Sequence, residues 1–111
     1  MEKTIFSRII DREIPAKIIA ENNDVVVIED IAPKAPIHYL IIPKNPIRDI
    51  QSMTESDFKL ANALFRMAQQ LSREISGAEH FRVLINSGTG VGQSVPHLHL
   101  HFLAGKTFSD F

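Results

Sequence analysis

Three histidines alternate with apolar residues in the segment His97-Leu98-His99-Leu100-His101-Phe102-Leu103. Successive side chains of a β-strand point to opposite faces, so His97, His99 and His101 would share one face. The apolar face must be buried for the strand to be stable, which holds three imidazoles in a row on a rigid element. Neutral imidazole is a nucleophile and a proton carrier at about pH 7. The spacing therefore predicts a chemical role for this strand.

The loop before the histidines, Gly88 to Ser94, contains three glycines. Their backbone lets a ligand approach closely, and the loop amides can cradle an anion. Gln93 and Ser94 add uncharged hydrogen-bonding groups directly upstream of the histidines. These parts suit nucleophilic attack on phosphorus, with negative charge stabilised by amides and by protonated histidine. The loop is not a P-loop, because it lacks the Lys-Ser/Thr ending and does not lead into a helix.

Zinc binding is the main chemical alternative, because neighbouring strand histidines can ligate zinc. His97 and His101 would lie roughly 13 Å apart along a strand, which is awkward for one ion to bridge. No Asp or Glu lies in or immediately beside the three histidines. The sequence therefore favours nucleophilic chemistry over a metal site. It predicts that His80 is an ordinary surface histidine or a hydrogen-bonded core histidine.

The composition narrows the class of protein. The chain has 111 residues, of which 44% are hydrophobic and 23% charged, and this predicts one soluble domain over residues 1–111. The formal net charge of −1 argues against nucleic acid or a membrane surface as partner. The absence of cysteine excludes disulfides and a thiol nucleophile. With no signal-like or membrane-length apolar run, we expect a cytoplasmic protein.

The elements that must position the histidines form an α+β pattern. The spacing predicts a short helix over 4–12, a long helix over 54–76, and strands over 16–20, 25–28, 38–42, 82–86 and the histidine segment. The long helix begins at a capping segment and ends at Gly77. Its apolar stripe, which includes Phe58 and Phe65, is expected in the core or in a dimer contact. We expect an antiparallel five-stranded sheet with this helix packed on one face.

The histidine segment matches the alternating signature of the histidine-triad (HIT) superfamily, which this chain resembles from about Thr4 to Gly105. Further segments resemble its nucleotide-binding-protein (Hint) branch: Thr4-Ile5-Phe6, Glu13 to Ile18, Asp30 to Pro33, Ala35-Pro36, His38 and Gly92 to Val95. The resemblance implies a homodimer in which the sheet extends to ten strands. It also implies a purine nucleoside phosphoramidase that needs no metal or cofactor. Such enzymes hydrolyse the P–N bond of nucleoside 5′-monophosphate amidates and also aminoacyl-adenylate-type substrates.

The resemblance also implies roles for individual residues. His99 would attack the α-phosphorus and form a nucleotidyl-histidine intermediate that water then cleaves. His97 would orient His99, and His101 would contact the phosphate oxygens. His38 would join a histidine relay that manages the proton, and Ser94 would bind near the leaving group.

Binding of the AMP-like nucleotide is implied for a second set of residues. Asp30 would hold the ribose hydroxyls. The phosphate and ribose-proximal groups would be held by Asn86, Gly92, Gln93, Ser94 and Val95. An apolar purine slot would be formed by Ile5, Phe6, Ile9, Ile28, Ile31 and Leu40. Without the resemblance, Ile5, Phe6 and Ile9 would be interpreted as core residues.

Two features depart from the family pattern and concern the leaving-group side. Pro96 stands directly before the histidines, where close Hint-type proteins carry an aromatic residue. The C-terminal segment after Gly105 is short and has no tryptophan. Three alternatives stay open: a dinucleoside-polyphosphate hydrolase or nucleotidyl transferase of the same superfamily, a nucleotide-binding interaction protein, and a zinc hydrolase. The transferase branch typically has His-Pro-His, which is absent here.

Overall fold

The computed structural model describes residues 3–109, which form one antiparallel sheet with two α-helices. The strand order is β1-β2-β3-β5-β4. The strands are β1 (Ile18–Glu21), β2 (Val25–Glu29), β3 (Ile37–Pro43), β4 (Phe81–Leu84) and β5 (Leu100–Ala104). The predicted five-stranded α+β architecture is therefore confirmed, with small shifts in the strand bounds. Within residues 3–109, no helix combines the length and apolar character that crossing a bilayer requires.

The two α-helices are α1 (Ile5–Ile10) and α2 (Lys59–Glu74). Thr4 caps α1, because its side chain accepts a hydrogen bond from the Ser7 backbone N–H. The predicted long helix begins later than residue 54, since Glu55–Asp57 is a separate 3₁₀ turn. A capping box between Thr54 and Asp57 closes that turn. The predicted capping segment is therefore confirmed, but it caps a 3₁₀ turn that precedes α2.

The sheet has two different faces, which we call the helix face and the histidine face. The helix face packs against α2 and includes Val27, Ile41, Leu100 and Phe102. The histidine face carries Val26, Ile28, Leu40 and Ile42, and it packs against Phe6 and Ile9 of α1. Paired residues of antiparallel strands share a face, and Leu40 pairs with His101. His101 therefore belongs to the face that α1 covers.

Two apolar residues of the predicted helix stripe lie outside the core. Phe58 is 50% exposed and Phe65 is 61% exposed, although Leu64 and Ala68 beside them are buried. Phe58 precedes the first residue of α2. Phe65 follows Leu64, which is one of the buried residues of the helix. One residue turns about 100° around a helix, which carries Phe65 beyond the edge of the buried stripe. Of the two expectations for this stripe, core or dimer contact, the core position is therefore wrong for Phe58 and Phe65, and the dimer contact stays a prediction.

The histidine strand is shorter than predicted. The β5 ladder begins at Leu100, where it pairs with Ile41, so His97 and His99 lie before it. The partner strand β3 ends at Pro43, and proline has no N–H to donate to a ladder. The alternation nevertheless holds, because Leu98 belongs to the helix-face core while His97 and His99 both contact Phe6.

Candidate active site

His99 is buried, and its main-chain surroundings fix its tautomer. Its Nδ1 lies 2.9 Å from the carbonyl oxygen of His97. A carbonyl can only accept, so Nδ1 carries the proton and Nε2 keeps a free lone pair. Burial lowers the pKa of His99, although the nearby His97 carbonyl and Asp30 act in the opposite direction. The imidazole is therefore neutral at about pH 7, with Nε2 available as a nucleophile.

His97 is fully buried and is held from both sides. Its Nε2 donates to the Pro43 carbonyl at 2.8 Å, and its Nδ1 lies 2.9 Å from the Thr4 hydroxyl. Since Nε2 carries the ring proton, Nδ1 accepts from that hydroxyl. Burial is the largest effect that lowers the pKa of His97. His97 thus links the end of β3 to the first turn of α1 and places its own carbonyl against His99.

His38 and His101 form a hydrogen-bonded pair across β3 and β5. His38 Nε2 lies 2.9 Å from His101 Nδ1, and the Lys34 backbone N–H donates to His38 Nδ1 at 3.0 Å. Burial, followed by repulsion from His99 and His38, lowers the pKa of His101 to about 4. Burial also lowers the pKa of His38. Both rings are therefore uncharged at about pH 7.

The rings form a continuous row. The ring centroids of His99 and His101 lie 5.0 Å apart, and those of His38 and His101 lie 5.2 Å apart. Phe6 contacts His97 and His99 edge-on, with centroid distances of 5.8 and 5.0 Å. Phe6 therefore covers His97 and His99 on one side. The structure therefore brings together all four predicted histidines.

Asp30 follows β2 and lies beside the far end of this row. Its Oδ2 is 3.5 Å from His38 Nε2, and its Oδ1 accepts the Ala32 backbone N–H at 2.8 Å. The second bond is an Asx-type turn that fixes the carboxylate at the start of the loop. The side chain of Ile31 next to it is fully exposed.

The group Asp30, His38 and His101 is the part of residues 3–109 whose spacing could hold a metal ion, since one ligand atom from each lies within 4.8 Å of the others. Metal binding through His38 Nε2 would require that atom to be unprotonated. However, the Lys34 N–H donates to Nδ1, so the proton of neutral His38 is on Nε2. The donor chemistry of this group therefore opposes a metal ion, although its spacing would fit one.

Gln93 organises the glycine loop through three main-chain groups. Its Oε1 accepts from the Gly88 N–H at 2.7 Å, and its Nε2 donates to the carbonyls of Arg48 and Val95 at 2.7 and 3.0 Å. Its two amide protons are therefore occupied inside the loop. Gly88 and Gly92 have φ angles of 115° and 101°, in the region that favours glycine.

The other residues predicted to bind the phosphate and ribose are exposed or half-buried. Ser94 is exposed and borders a cavity of about 430 Å³, which is also lined by Arg48, Asp49, Thr89 and Pro96. Asn86 and Val95 are half-buried, and Gly92 is exposed. Val95 packs against the apolar residues of the histidine face.

The residues expected to form the purine slot separate into two groups. Four of them are buried together on the histidine face, namely Phe6, Ile9, Ile28 and Leu40. Ile5 and Ile31 are exposed. The structure thus provides an apolar wall with two exposed apolar side chains, and the buried members also serve as core.

Sequence reasoning missed three groups that hold the histidines. The Lys34 N–H and the Pro43 carbonyl belong to the main chain, so no side-chain type signals them. The Thr4 hydroxyl could have been found, because threonine before an apolar helical pattern is an N-cap signal. Its second role, donation to His97 Nδ1, joins residues 93 positions apart and has no local signature.

Comparisons with known proteins agree with this geometry. The family model described as the HIT domain matches residues 11–108. An uncharacterised HIT-like protein of Synechocystis is 44% identical over 108 residues, covering 97% of this chain and 95% of that protein. A HIT family hydrolase from Clostridium thermocellum has a TM-score of 0.93 and 36% identity, covering 100% of this chain and 97% of that one. A HIT family hydrolase from Legionella pneumophila has a TM-score of 0.87 and 35% identity, covering 95% of each chain.

Proposed function

Since the chain belongs to the HIT domain family, whose model matches residues 11–108, we propose that it is a purine nucleoside phosphoramidase. The observation that carries this proposal is the tautomer of His99. Its Nδ1 donates to the His97 carbonyl, so a neutral Nε2 is held ready to attack phosphorus. Structural relatives that are HIT family hydrolases support hydrolysis as the reaction class.

The reaction proceeds in two displacements at the α-phosphorus. In the first, the lone pair of His99 Nε2 forms an N–P bond, and the P–N bond to the leaving amine breaks. The amine takes a proton from solvent on the side of Ser94. In the second, a water oxygen attacks phosphorus, the bond to Nε2 breaks, and the nucleoside monophosphate leaves while the water proton returns to solvent. His101 contacts the phosphate oxygens, and His97 keeps His99 in the reactive tautomer.

The nucleotide lies along the histidine face. Asp30 accepts hydrogen bonds from the ribose hydroxyls, and Ile31 and Ile5 cover the purine from the exposed side. The wall behind the base is formed by Phe6, Ile9, Ile28 and Leu40. The phosphate and ribose-proximal groups contact the loop of Asn86, Gly92, Gln93, Ser94 and Val95, with Gln93 acting by holding the loop backbone in place.

One observation favours an alternative leaving group. The cavity of about 430 Å³ beside Ser94 is lined by Arg48, whose side chain is 69% exposed. Arg48 Nε lies 3.4 Å from Asp49 Oδ2, and the other N–H groups of the guanidinium could bind the second phosphate of a dinucleoside polyphosphate. Both substrates pass through the same nucleotidyl-His99 intermediate and differ only in the group that leaves.

The test is steady-state hydrolysis of adenosine 5′-phosphoramidate and of a dinucleoside polyphosphate, with and without EDTA. His99→Ala should lose about 10³-fold or more in kcat, because the attacking atom is removed. His80→Ala is the matched control, since His80 is an exposed histidine outside the site. Mass spectrometry of quenched wild-type enzyme should detect a nucleotidyl group on His99. If wild-type activity is absent for both substrates, or is abolished by EDTA, the proposal is wrong.

The same family relationship supports a homodimer joined along β4. Within residues 3–109, β4 pairs with β5 on one side and lies at the end of the sheet. Leu84 on this strand is 38% exposed and Phe81 is 40% exposed. Pairing of two β4 edges would bury these side chains and give a sheet of ten strands.

Light scattering after size exclusion tests the dimer. Leu84→Lys should convert a dimeric wild type to a monomer, because a buried lysine without a partner is costly. Ile18→Lys is the control at the opposite sheet edge, where Ile18 has a similar exposure of 36%. A monomeric wild type, or a dimer that Leu84→Lys leaves intact, would exclude this interface.

A further inference from the structure

We infer that the Lys34 main-chain amide fixes His38 as a hydrogen-bond donor with its ring proton on Nε2, and that His38 positions His101 without passing a proton on. The part of this inference that concerns catalysis rests on the proposed function. It replaces the relay role that the family resemblance implies for His38. The argument depends on which atoms around the His38 ring can donate and which can only accept.

The first side of the ring is fixed by Lys34. The Lys34 backbone N–H lies 3.0 Å from His38 Nδ1, and a backbone N–H can only donate. His38 Nδ1 must therefore be unprotonated. A proton on Nδ1 would place two donors against each other in a buried site, because His38 is only 5% exposed.

The contacts of Nε2, on the other side of the ring, indicate the same tautomer. Nε2 faces the Asp30 carboxylate at 3.5 Å and His101 Nδ1 at 2.9 Å. An ionised carboxylate can only accept, so the proton of neutral His38 lies on Nε2. Both sides of the ring therefore select the same tautomer.

This tautomer sets the direction of the hydrogen-bond chain. His38 Nε2–H donates to His101 Nδ1, and neutral His101 consequently carries its own proton on Nε2. His101 then presents an N–H donor, which is what a phosphate oxygen requires. The chain cannot reverse, because a proton passed to His38 Nε2 from His101 would require Nδ1–H on His38, facing the Lys34 N–H. His38 is therefore an end of the chain and not a link in it.

The charged and titratable groups that face His38 come from three elements. Asp30 follows β2 and favours a positive charge on the ring, whereas Lys34 in the loop disfavours one. His101 on β5 is neutral at about pH 7, since its pKa lies at about 4. Burial is the largest effect on the pKa of His38 and lowers it. None of these groups supplies His38 with a second proton at about pH 7.

The first experiment is long-range ¹H–¹⁵N NMR of the histidine rings of the wild-type protein at pH 7. We expect His38 and His101 each to show a protonated Nε2 and a bare Nδ1. A protonated Nδ1 on His38, or averaged signals from two exchanging tautomers, would overturn the inference. No substrate is present, so this result is independent of whether the protein is a phosphoramidase.

The second experiment compares His38→Gln with His38→Leu in phosphoramidate hydrolysis. The glutamine side-chain NH₂ reaches the place of Nε2 and can donate a hydrogen bond to His101, but it does not titrate and cannot pass a proton on. We expect His38→Gln to stay within about threefold of wild-type kcat and His38→Leu to lose about tenfold, as for one lost hydrogen bond. If His38→Gln keeps the His101 tautomer yet loses as much rate as His38→Leu, His38 is a relay and the inference is wrong.

A third experiment uses two Lys34 variants to test whether the main-chain amide fixes the His38 tautomer. Lys34→Pro removes the main-chain N–H, whereas Lys34→Ala keeps it and removes only the side-chain charge. We expect Lys34→Pro to show His38 with a fraction of Nδ1–H, and Lys34→Ala to match the wild-type ring spectrum. Unchanged tautomers in a folded Lys34→Pro protein would show that the Asp30 side of the ring sets the tautomer without the Lys34 amide, and the inferred lock would be wrong. If Lys34→Pro does not fold, the glutamine and leucine variants still decide the role of His38.

Discussion

At the scale of single residues, the main chain controls the chemistry of the site. Three carbonyl or amide groups, those of Lys34, Pro43 and His97, decide which nitrogen of an adjacent imidazole carries its proton. These hydrogen bonds measure 3.0, 2.8 and 2.9 Å, and they lie in buried or half-buried environments. Main-chain groups cannot titrate, so the tautomers they impose do not change with pH while the rings stay neutral.

The acid limb of the pH–rate profile tests the state of His99. Burial lowers the pKa of His99 below its ordinary value of 6.5, and only the neutral ring can attack phosphorus. We expect kcat/KM to be retained at pH 6.5, where an ordinary histidine would be half protonated, and to fall at lower pH. The measurement is kcat/KM for adenosine 5′-phosphoramidate between pH 4 and pH 8, with His80→Ala as control. A midpoint at or above pH 6.5 would contradict a buried neutral nucleophile.

At the scale of elements, the N-cap residue Thr4 connects the six-residue helix α1 to the site by a hydrogen bond. Thr4 accepts the Ser7 N–H at 3.0 Å and lies 2.9 Å from His97 Nδ1. The same hydroxyl therefore caps a helix and supplies a buried imidazole with its hydrogen-bond partner. Phe6, two residues later, covers His97 and His99.

Replacing this hydroxyl should weaken both the helix and the site. Thr4→Val keeps the shape of the side chain but loses the cap and leaves His97 Nδ1 unpaired, at a cost of about 2 kcal/mol in the free energy of unfolding. Thr4→Ser retains the hydroxyl and should stay within about 0.5 kcal/mol of wild type. Urea denaturation measures both values. Equal stabilities of the two variants would show that the Thr4 hydroxyl is not used as described.

Sequence patterns predicted the local features of these elements but not the features that depend on distant contacts. The alternation in the histidine segment predicted which side chains share a face, because the period of a strand is local information. It did not predict that α2 covers the apolar face and α1 the histidine face. The same pattern could not show that the β5 ladder begins at Leu100, because that depends on Pro43 in a distant strand. Phe65 fits the helical period almost as well as Leu64, and only packing decides that it is exposed. The hydrogen bond from Lys34 to His38 depends on a loop conformation that residue types do not encode.

At the scale of the whole molecule, a row of neutral histidines, three buried and one half-buried, links stability to pH. Burial lowers the pKa values of His38, His97, His99 and His101. For such groups the unfolded chain binds more protons than the folded one once pH falls below 6.5. The stabilising contribution is thus fully present above pH 6.5 and is lost as pH falls towards the folded pKa values.

The acid loss of stability should be measurable by urea denaturation at pH 7 and pH 5. With a pKa of about 4 in the folded state against 6.5, His101 alone accounts for about 2 kcal/mol of lost stability over this range. His101→Gln should show a correspondingly shallower decline, since glutamine does not titrate. A wild-type stability that is equal or higher at pH 5 would contradict the lowered pKa values.

The sheet consists of two groups of strands, each paired between neighbours in sequence, and the candidate site lies where the two groups meet. Strands β1 to β3 are consecutive neighbours, β4 and β5 form a second pair, and the β3–β5 ladder joins the halves across the chain segment that contains α2. Asp30, His38 and Phe6 belong to the first half, whereas His99 and His101 belong to the second. Long-range pairing of this kind loses loop-closure entropy before its contacts form, so it is slow compared with local pairing. During refolding, the proposed hydrolytic activity would therefore return only when this ladder closes, which would make turnover a reporter of this long-range step in assembling the sheet.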